Sequence, residues 1–207
     1  MGSSSCWHCS AASAQSLFCQ NCNALQAPSP DYFRFFGLDK RLDLDLGMLQ
    51  KRFYELSRTL HPDKFTRRTV QEKLFSLEAT AILNDGFRVL RDPVLRAEYI
   101  LKEEGFEVGE SRKGDVSGEL LEEVFELNLA LEELKAGARS ARFQLEEAQA
   151  RFMRMRDQID ADLKLLFHRW DEQGRRETLG DIRKALSKRR YITNLLTETG
   201  KALAASA

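Results

Sequence analysis

Four cysteines crowd the start of the chain: Cys6 and Cys9 in CWHC, Cys19 and Cys22 in CQNC, with nine residues between the pairs. Thiolates are metal ligands, and two intervening residues let one tight knuckle offer both sulfurs to the same ion. Two knuckles complete a tetrahedral shell with metal–sulfur bonds of about 2.3 Å for zinc. The spacing predicts a structural Zn2+ site using all four thiols, with iron or a pair of disulfides as alternatives. The opening residues lack a secretory signal, which favours a reducing compartment and weighs against disulfides. Four sulfurs leave no open coordination position and no carboxylate lies nearby, so catalysis by this metal is not expected. His8, inside the first knuckle, is surplus to the shell and reads as a turn residue. Residues 1–30 contain no Lys, Arg, Asp or Glu. Phosphate binding needs cations, so no nucleic-acid partner is expected there.

The second constellation is TLHPDKF, Thr59 to Phe65. A His/Asp pair supplies two members of a hydrolytic triad, but no Ser or Cys nucleophile stands beside it. The plainer role is a turn, with Pro62 stopping a helix and Asp63 bonding local amides. No catalytic residue is therefore assigned. The charges around it are uneven: Gln50 to Arg68 holds six bases (Lys51, Arg52, Arg58, Lys64, Arg67, Arg68) against two acids. From Glu119 to Glu133 there are six acids and no base. A net charge of zero thus conceals one positive and one negative surface, the kind of patches that steer partners.

Helices must position these residues. Leu46, Leu49, Phe53, Leu56 and Leu60 follow three–four spacing, one face of an amphipathic helix that Pro62 should end. From about Thr69 a second helix is expected, with Leu74, Leu77, Ala81, Leu83, Phe87 and Leu90 facing the core and Pro93 at its limit. DYFRFFGLD precedes both as a short element, and PVLRAEYILKEEG reads as another short helix ending at Gly105.

That context resembles the J-domain family, in which a basic second helix leads into His-Pro-Asp and a long third helix follows. His61, Pro62 and Asp63 match the tripeptide. Asn84, Asp85, Leu90, Asp92, Pro93, Arg96, Ala97 and Tyr99 fall where the family pattern expects them. Gly86 stands where that pattern usually has alanine, which should weaken the helix by about 1 kcal/mol. The resemblance covers residues 31–104. It implies docking on a DnaK-class chaperone whose ATPase is stimulated, with His61, Pro62 and Asp63 at the contact and Lys51, Arg52, Arg58 and Lys64 meeting an acidic surface.

Beyond VGESRKGDVSGE three long patterns follow. The first has Leu120, Val124, Leu127, Leu131 and Leu134. The second has Ala148, Phe152, Met155, Ile159, Leu163, Leu166 and Trp170. The third, from about Glu177, has Leu179, Ile182, Leu186, Ile192, Leu195 and Leu196. Gly137 and Gly174 mark the breaks, and the short loops argue an antiparallel three-helix bundle. The first helix carries a second row, Leu121, Phe125 and Leu129, bordered by Glu122, Glu126 and Glu133. It is either a widening of the core face or an exposed apolar strip with an acidic rim, as in protein-binding surfaces. His168, in LLFHRW, reads as an ordinary helix residue.

Cysteine module, J-domain and bundle together resemble the HscB-type co-chaperones of iron–sulfur cluster assembly. The resemblance implies that the bundle binds an IscU-type scaffold through Leu121, Phe125, Glu126 and Glu133 and through an aromatic of the last helix, here Tyr191. Glu122 replaces a usually apolar residue and Leu129 a usual glutamate. The chaperone partner is then of DnaK/HscA class.

The fold expected is mainly α: a zinc-ribbon-like cysteine module (1–27), a helical J-domain hairpin (31–104) and a C-terminal antiparallel three-helix bundle (112–200). Pro28 and Pro30, in ALQAPSPDY, read as a short linker after the first. No apolar run of 18 residues suggests a membrane span. The protein is expected to be a non-enzymatic adaptor, cytoplasmic or alternatively in the mitochondrial matrix. A general J-protein with a different client is the runner-up, and a zinc enzyme or redox protein is the rival from another class.

Overall fold

The computed structural model describes residues 4–13, 16–109, 118–136 and 138–205. The side chain of Leu120 and the break expected at Gly137 lie outside the described residues. The chain divides into two compact units, Met1–Arg96 and Ala97–Ala207.

The first unit opens with two-residue strands, β1 (Ser4–Ser5) and β2 (Ala12–Ser13), paired antiparallel. An isolated bridge joins Phe18 to Leu25. The segment that reads as a linker is in fact packed: Ala24, Leu25 and Pro28 are buried. Next comes α1 (Tyr32–Phe36), capped by Asp31, whose carboxylate accepts from the Arg34 amide, and closed by Gly37 at φ 64°. The longer α2 (Leu46–Leu60) is capped by Asp45, which accepts from Gly47 and Met48. It ends where Pro62 forces His61 to ψ 128°, as the clash between a proline ring and the preceding residue requires. One 3-10 turn, Pro62–Phe65, leads to α3 (Val70–Arg91). Thr69 and Glu72 form a reciprocal capping box at the start of α3. The helices run antiparallel: the Ser76 hydroxyl donates to Leu60 O at 2.7 Å, and the Phe53 and Phe87 rings lie 4.4 Å apart further along.

The core face of α3 differs from the expected one. Ser76, Ala79, Leu83, Gly86 and Leu90 are buried, whereas Leu74, Leu77 and Ala81 are exposed, as is Leu46 on α2. Close approach decides this, not hydrophobicity. A Cβ on Gly86 would lie 2.9 Å from Phe36 Cε2 and 3.0 Å from Tyr32 Cδ1. The glycine that weakens the helix in isolation is what lets α1 lie against it. Arg96 is buried, donating from Nε to Leu42 O at 2.9 Å and from Nη1 to Leu90 O.

The helix α4 (Pro93–Glu103) crosses into the second unit. It ends as expected at Gly105, φ 77°, where Phe106 N bonds Leu101 O. Three longer helices follow: α5 (Gly118–Lys135), α6 (Arg139–Gln173) and α7 (Arg176–Ala205). At about 1.5 Å per residue, α6 is a rod of about 50 Å. Both α5 and α7 pack on it. Asp160 of α6 pairs with Arg189, and Gln149 lies beside Gly200, so α6 and α7 run antiparallel. Leu145, Phe152, Ile159, Leu163 and Trp170 of α6 and Leu179, Ile182, Leu186, Ile192 and Leu195 of α7 are buried. Gly174, at φ 62°, closes α6. The architecture is mainly α, with a cysteine module at its start. No described helix is long and apolar enough to cross a membrane.

Candidate metal centre and docking surfaces

The two cysteine pairs fold as near copies. Cys6 N bonds Ala11 O and Ser10 N bonds Cys6 O; thirteen residues on, Cys19 N bonds Ala24 O and Asn23 N bonds Cys19 O, all at 2.9 Å. Ser10 and Asn23, each just past the second cysteine, share the left-handed conformation at φ 59° and 57°. This duplication was visible in the sequence as C-x-x-C followed by Ser-Ala or Asn-Ala, a signal finer than thiol spacing alone.

The knuckles bring all four Sγ atoms within 4.8 Å of one another. Cys6 and Cys22 are 3.7 Å apart, Cys9 and Cys19 3.8 Å. A disulfide needs about 2.05 Å, whereas the sulfurs of a tetrahedron with bonds of about 2.3 Å lie about 3.8 Å apart. The geometry fits one ion. Amide donors line it: His8 N and Gln26 Nε2 reach Cys6 Sγ at 3.4 Å, and Asn21 Nδ2 reaches Cys9 Sγ at 3.5 Å. Burial raises the Cys6 thiol, but the amides of Cys9 and His8 and two neighbouring thiols outweigh it and lower it to about 6. At Cys22 the Ala24 amide lowers the thiol, while burial and three neighbouring sulfurs raise it to about 12. Sulfurs this close cannot all carry charge unless a cation sits among them.

The His-Pro-Asp loop stands at the surface. His61 and Asp63 side chains are 56% and 85% exposed. His61 Nδ1 accepts from the Asp63 amide at 3.3 Å and lies 3.5 Å from the Asp63 carboxylate. Beneath the loop, buried Phe65 and the Ser76–Leu60 bond anchor it, and Lys64 N bonds His61 O. Lys51, Arg52, Arg58 and Lys64 are all exposed. Arg52 is partly neutralised by Glu55 at 3.1 Å.

On α5 the second row is exposed: Leu121 55%, Phe125 65%, Leu129 47%. The core is made instead by Leu127 and Ala130. Glu126 and Glu133 line a groove with Leu129, Gln144, Glu147 and Arg151. Arg151 stands 3.7 Å from Glu126 and 3.9 Å from Glu123. This share of α6 was not anticipated, though Gln144, Glu147 and Arg151 flank the core positions Ala148 and Phe152. Tyr191 lies half-buried on α7, a different helix from the row on α5. His168 is exposed, 3.3 Å from Glu172.

No protein-family model matches the chain. It is 29% identical over 196 residues to the iron–sulfur cluster co-chaperone protein HscB of Mus musculus, spanning 92% of this chain and 79% of that protein. It is 35% identical over 136 residues to the co-chaperone protein HscB homolog of Shewanella baltica (strain OS195), spanning 66% and 78%. The crystal structure of human co-chaperone protein HscB superposes with a TM-score of 0.73 at 27% identity, covering 96% of this chain and 98% of that one. Sequence kinship over most of a bacterial HscB homolog, and a shared fold along nearly the whole chain, lead to one statement: the chain belongs to the HscB family of J-domain co-chaperones.

Proposed function

We propose that this protein brings an IscU-type iron–sulfur scaffold to a DnaK/HscA-class chaperone and stimulates that chaperone's ATPase, catalysing nothing itself. The observation that carries the reading is the exposed, internally braced His61-Pro62-Asp63 loop beside a basic helix face. Residues 31–104 serve as the J-domain: Lys51, Arg52, Arg58 and Lys64 meet an acidic chaperone surface, and Asp63 offers its charge to a cationic group there. Residues 112–200 hold the scaffold through Leu121, Phe125, Glu126, Glu133 and Tyr191. Carrying both contacts in one chain raises the effective concentration of scaffold at the chaperone. ATP hydrolysis, performed by the chaperone, then promotes transfer of the cluster and maturation of iron–sulfur proteins.

Residues 1–27 bind Zn2+ through Cys6, Cys9, Cys19 and Cys22. When bound, the ion supplies structural cross-linking and charge balance, and four sulfurs leave it no position for substrate. The mouse relative is named an iron–sulfur cluster co-chaperone, which supports the same client here. The site of action is the cytoplasm or the mitochondrial matrix. The test is ATPase stimulation of a DnaK-class chaperone with and without a scaffold. His61→Gln, folded as judged by circular dichroism, should abolish stimulation, and unchanged stimulation would refute the reading.

A further inference from the structure

Glu72 is acidic, buried to 5% relative exposure, and carries two sets of bonds. One carboxylate oxygen takes the Thr69 amide at 3.2 Å and the Thr69 hydroxyl at 3.0 Å, closing the capping box of α3. The other takes the backbone amide of Leu25, 47 residues earlier, at 3.4 Å. Leu25 is fully buried, and its carbonyl accepts from Trp7 Nε1 at 2.7 Å. Trp7 sits between Cys6 and Cys9 and sets its ring edge-on to Phe75 of α3, 6.2 Å between centroids. A continuous set of bonds therefore runs from the first knuckle through Leu25 and Glu72 to the start of α3. Phe18 and Asn23, from the second knuckle, share a groove with Thr59, Lys64, Phe65 and Arg68 around the His-Pro-Asp turn. A capping box is complete with the reciprocal Thr69–Glu72 bonds, so the Leu25 amide is a partner beyond what the cap requires.

We propose that Glu72 is a positioning residue through which the metal-held cysteine module fixes the start of α3, and with it the loop carrying His61, Pro62 and Asp63. The cysteine module is then more than an appendage with its own fold. Metal held by its knuckles stabilises the surface that meets the chaperone, and loss of the metal loosens that surface. This rests on the chaperone-docking role given to the loop above. The coupling is an equilibrium one and so acts equally in both directions.

The test uses zinc-loaded full-length protein. Withdrawing zinc with a chelator should lower amide-exchange protection over Phe65–Lys73 by about tenfold, a typical size for coupling between sites, and more than over Leu83–Leu90 of the same helix. In return, Glu72→Ala should weaken zinc affinity, measured by competition with a chelating dye, by about the same factor. Glu72→Gln keeps one acceptor oxygen where the carboxylate uses two, one for Leu25 and one for Thr69, and should recover only part of it. Phe75→Leu removes the ring contact with Trp7 but keeps the cap, and should give an intermediate loss. If Glu72→Ala does not fold, these two variants carry the measurement. The proposal is overturned if exchange over Phe65–Lys73 ignores zinc, or if folded Glu72 and Phe75 variants bind zinc like the parent. Failure of the docking role has a different mark: stimulation that survives His61→Gln, a change that leaves the Glu72–Leu25 bond intact.

Discussion

Gly86→Ala sets two magnitudes against each other. Within a helix, alanine is favoured over glycine by about 1 kcal/mol, so propensity alone predicts a more stable protein. The added methyl would lie 2.9 Å from Phe36 Cε2, with Tyr32 Cδ1 and Cγ at 3.0 and 3.2 Å. Carbon atoms prefer about 3.5–4.0 Å. Phe36 is only 2% exposed, and its rigid ring has nowhere to turn. Overpacking of this kind costs about 1–3 kcal/mol. The expected net result is a loss of about 1 kcal/mol, read from the urea midpoint of the full-length protein at unchanged slope. The second half of the test is a cycle. In a Phe36→Leu background the shortest contact is relieved while those with Tyr32 remain, so the same Gly86→Ala change should lose part of its penalty, an interaction of about 0.5–1 kcal/mol. If Gly86→Ala stabilises the parent protein, the contact between α1 and α3 does not constrain residue 86, and the account of the α3 core face is wrong.

Two further outcomes are expected. Leu121→Ala with Phe125→Ala should leave stability within about 0.5 kcal/mol, since both side chains are exposed and such surface changes seldom cost more. Scaffold affinity, by calorimetry, should fall at least about tenfold while basal ATPase stimulation persists; joint loss of both would sink the assignment. The Glu72 carboxyl is held below its ordinary value of 4.5: burial raises it, but the Thr69 hydroxyl and amide, the Leu25 amide and the Arg68 charge outweigh that. A depressed carboxyl stabilises the fold above its unfolded value and loses that contribution as pH falls through the folded one. Denaturation between pH 3 and 6 should therefore show the parent's stability advantage over Glu72→Gln shrinking below about pH 4.5; an advantage that grows with acid would contradict the sign.

Much of this was legible along the chain. Pro62 announced the end of α2, thiol spacing announced the four-cysteine cluster, Gly174 marked the end of α6, and the third pattern placed the start of α7 at about Glu177, one residue from Arg176. The core face of α3 was not legible from periodicity, because Ser76, Ala79 and Gly86 are chosen for smallness and a hydrophobic count passes over them in favour of Leu74 and Leu77. The link from Leu25 to Glu72 was hidden for another reason. It joins backbone to side chain across 47 residues, and a backbone donor has no letter in the sequence. The α5 row admitted two readings since a helix 18 residues long can widen its buried face or bare a second one; only packing against α6 decides.

In the turn after α2, the ring of His61 takes a hydrogen bond from the amide two residues on, Pro62 cannot rotate its φ, and Phe65 is clamped beneath. Freezing the backbone of a mobile residue costs about 1–2 kcal/mol, and a floppy tripeptide would have to meet that cost at each encounter. Here it is met once, during folding. A molecule docking on this turn would not have to meet that ordering cost again, so more of its contact energy would remain as affinity.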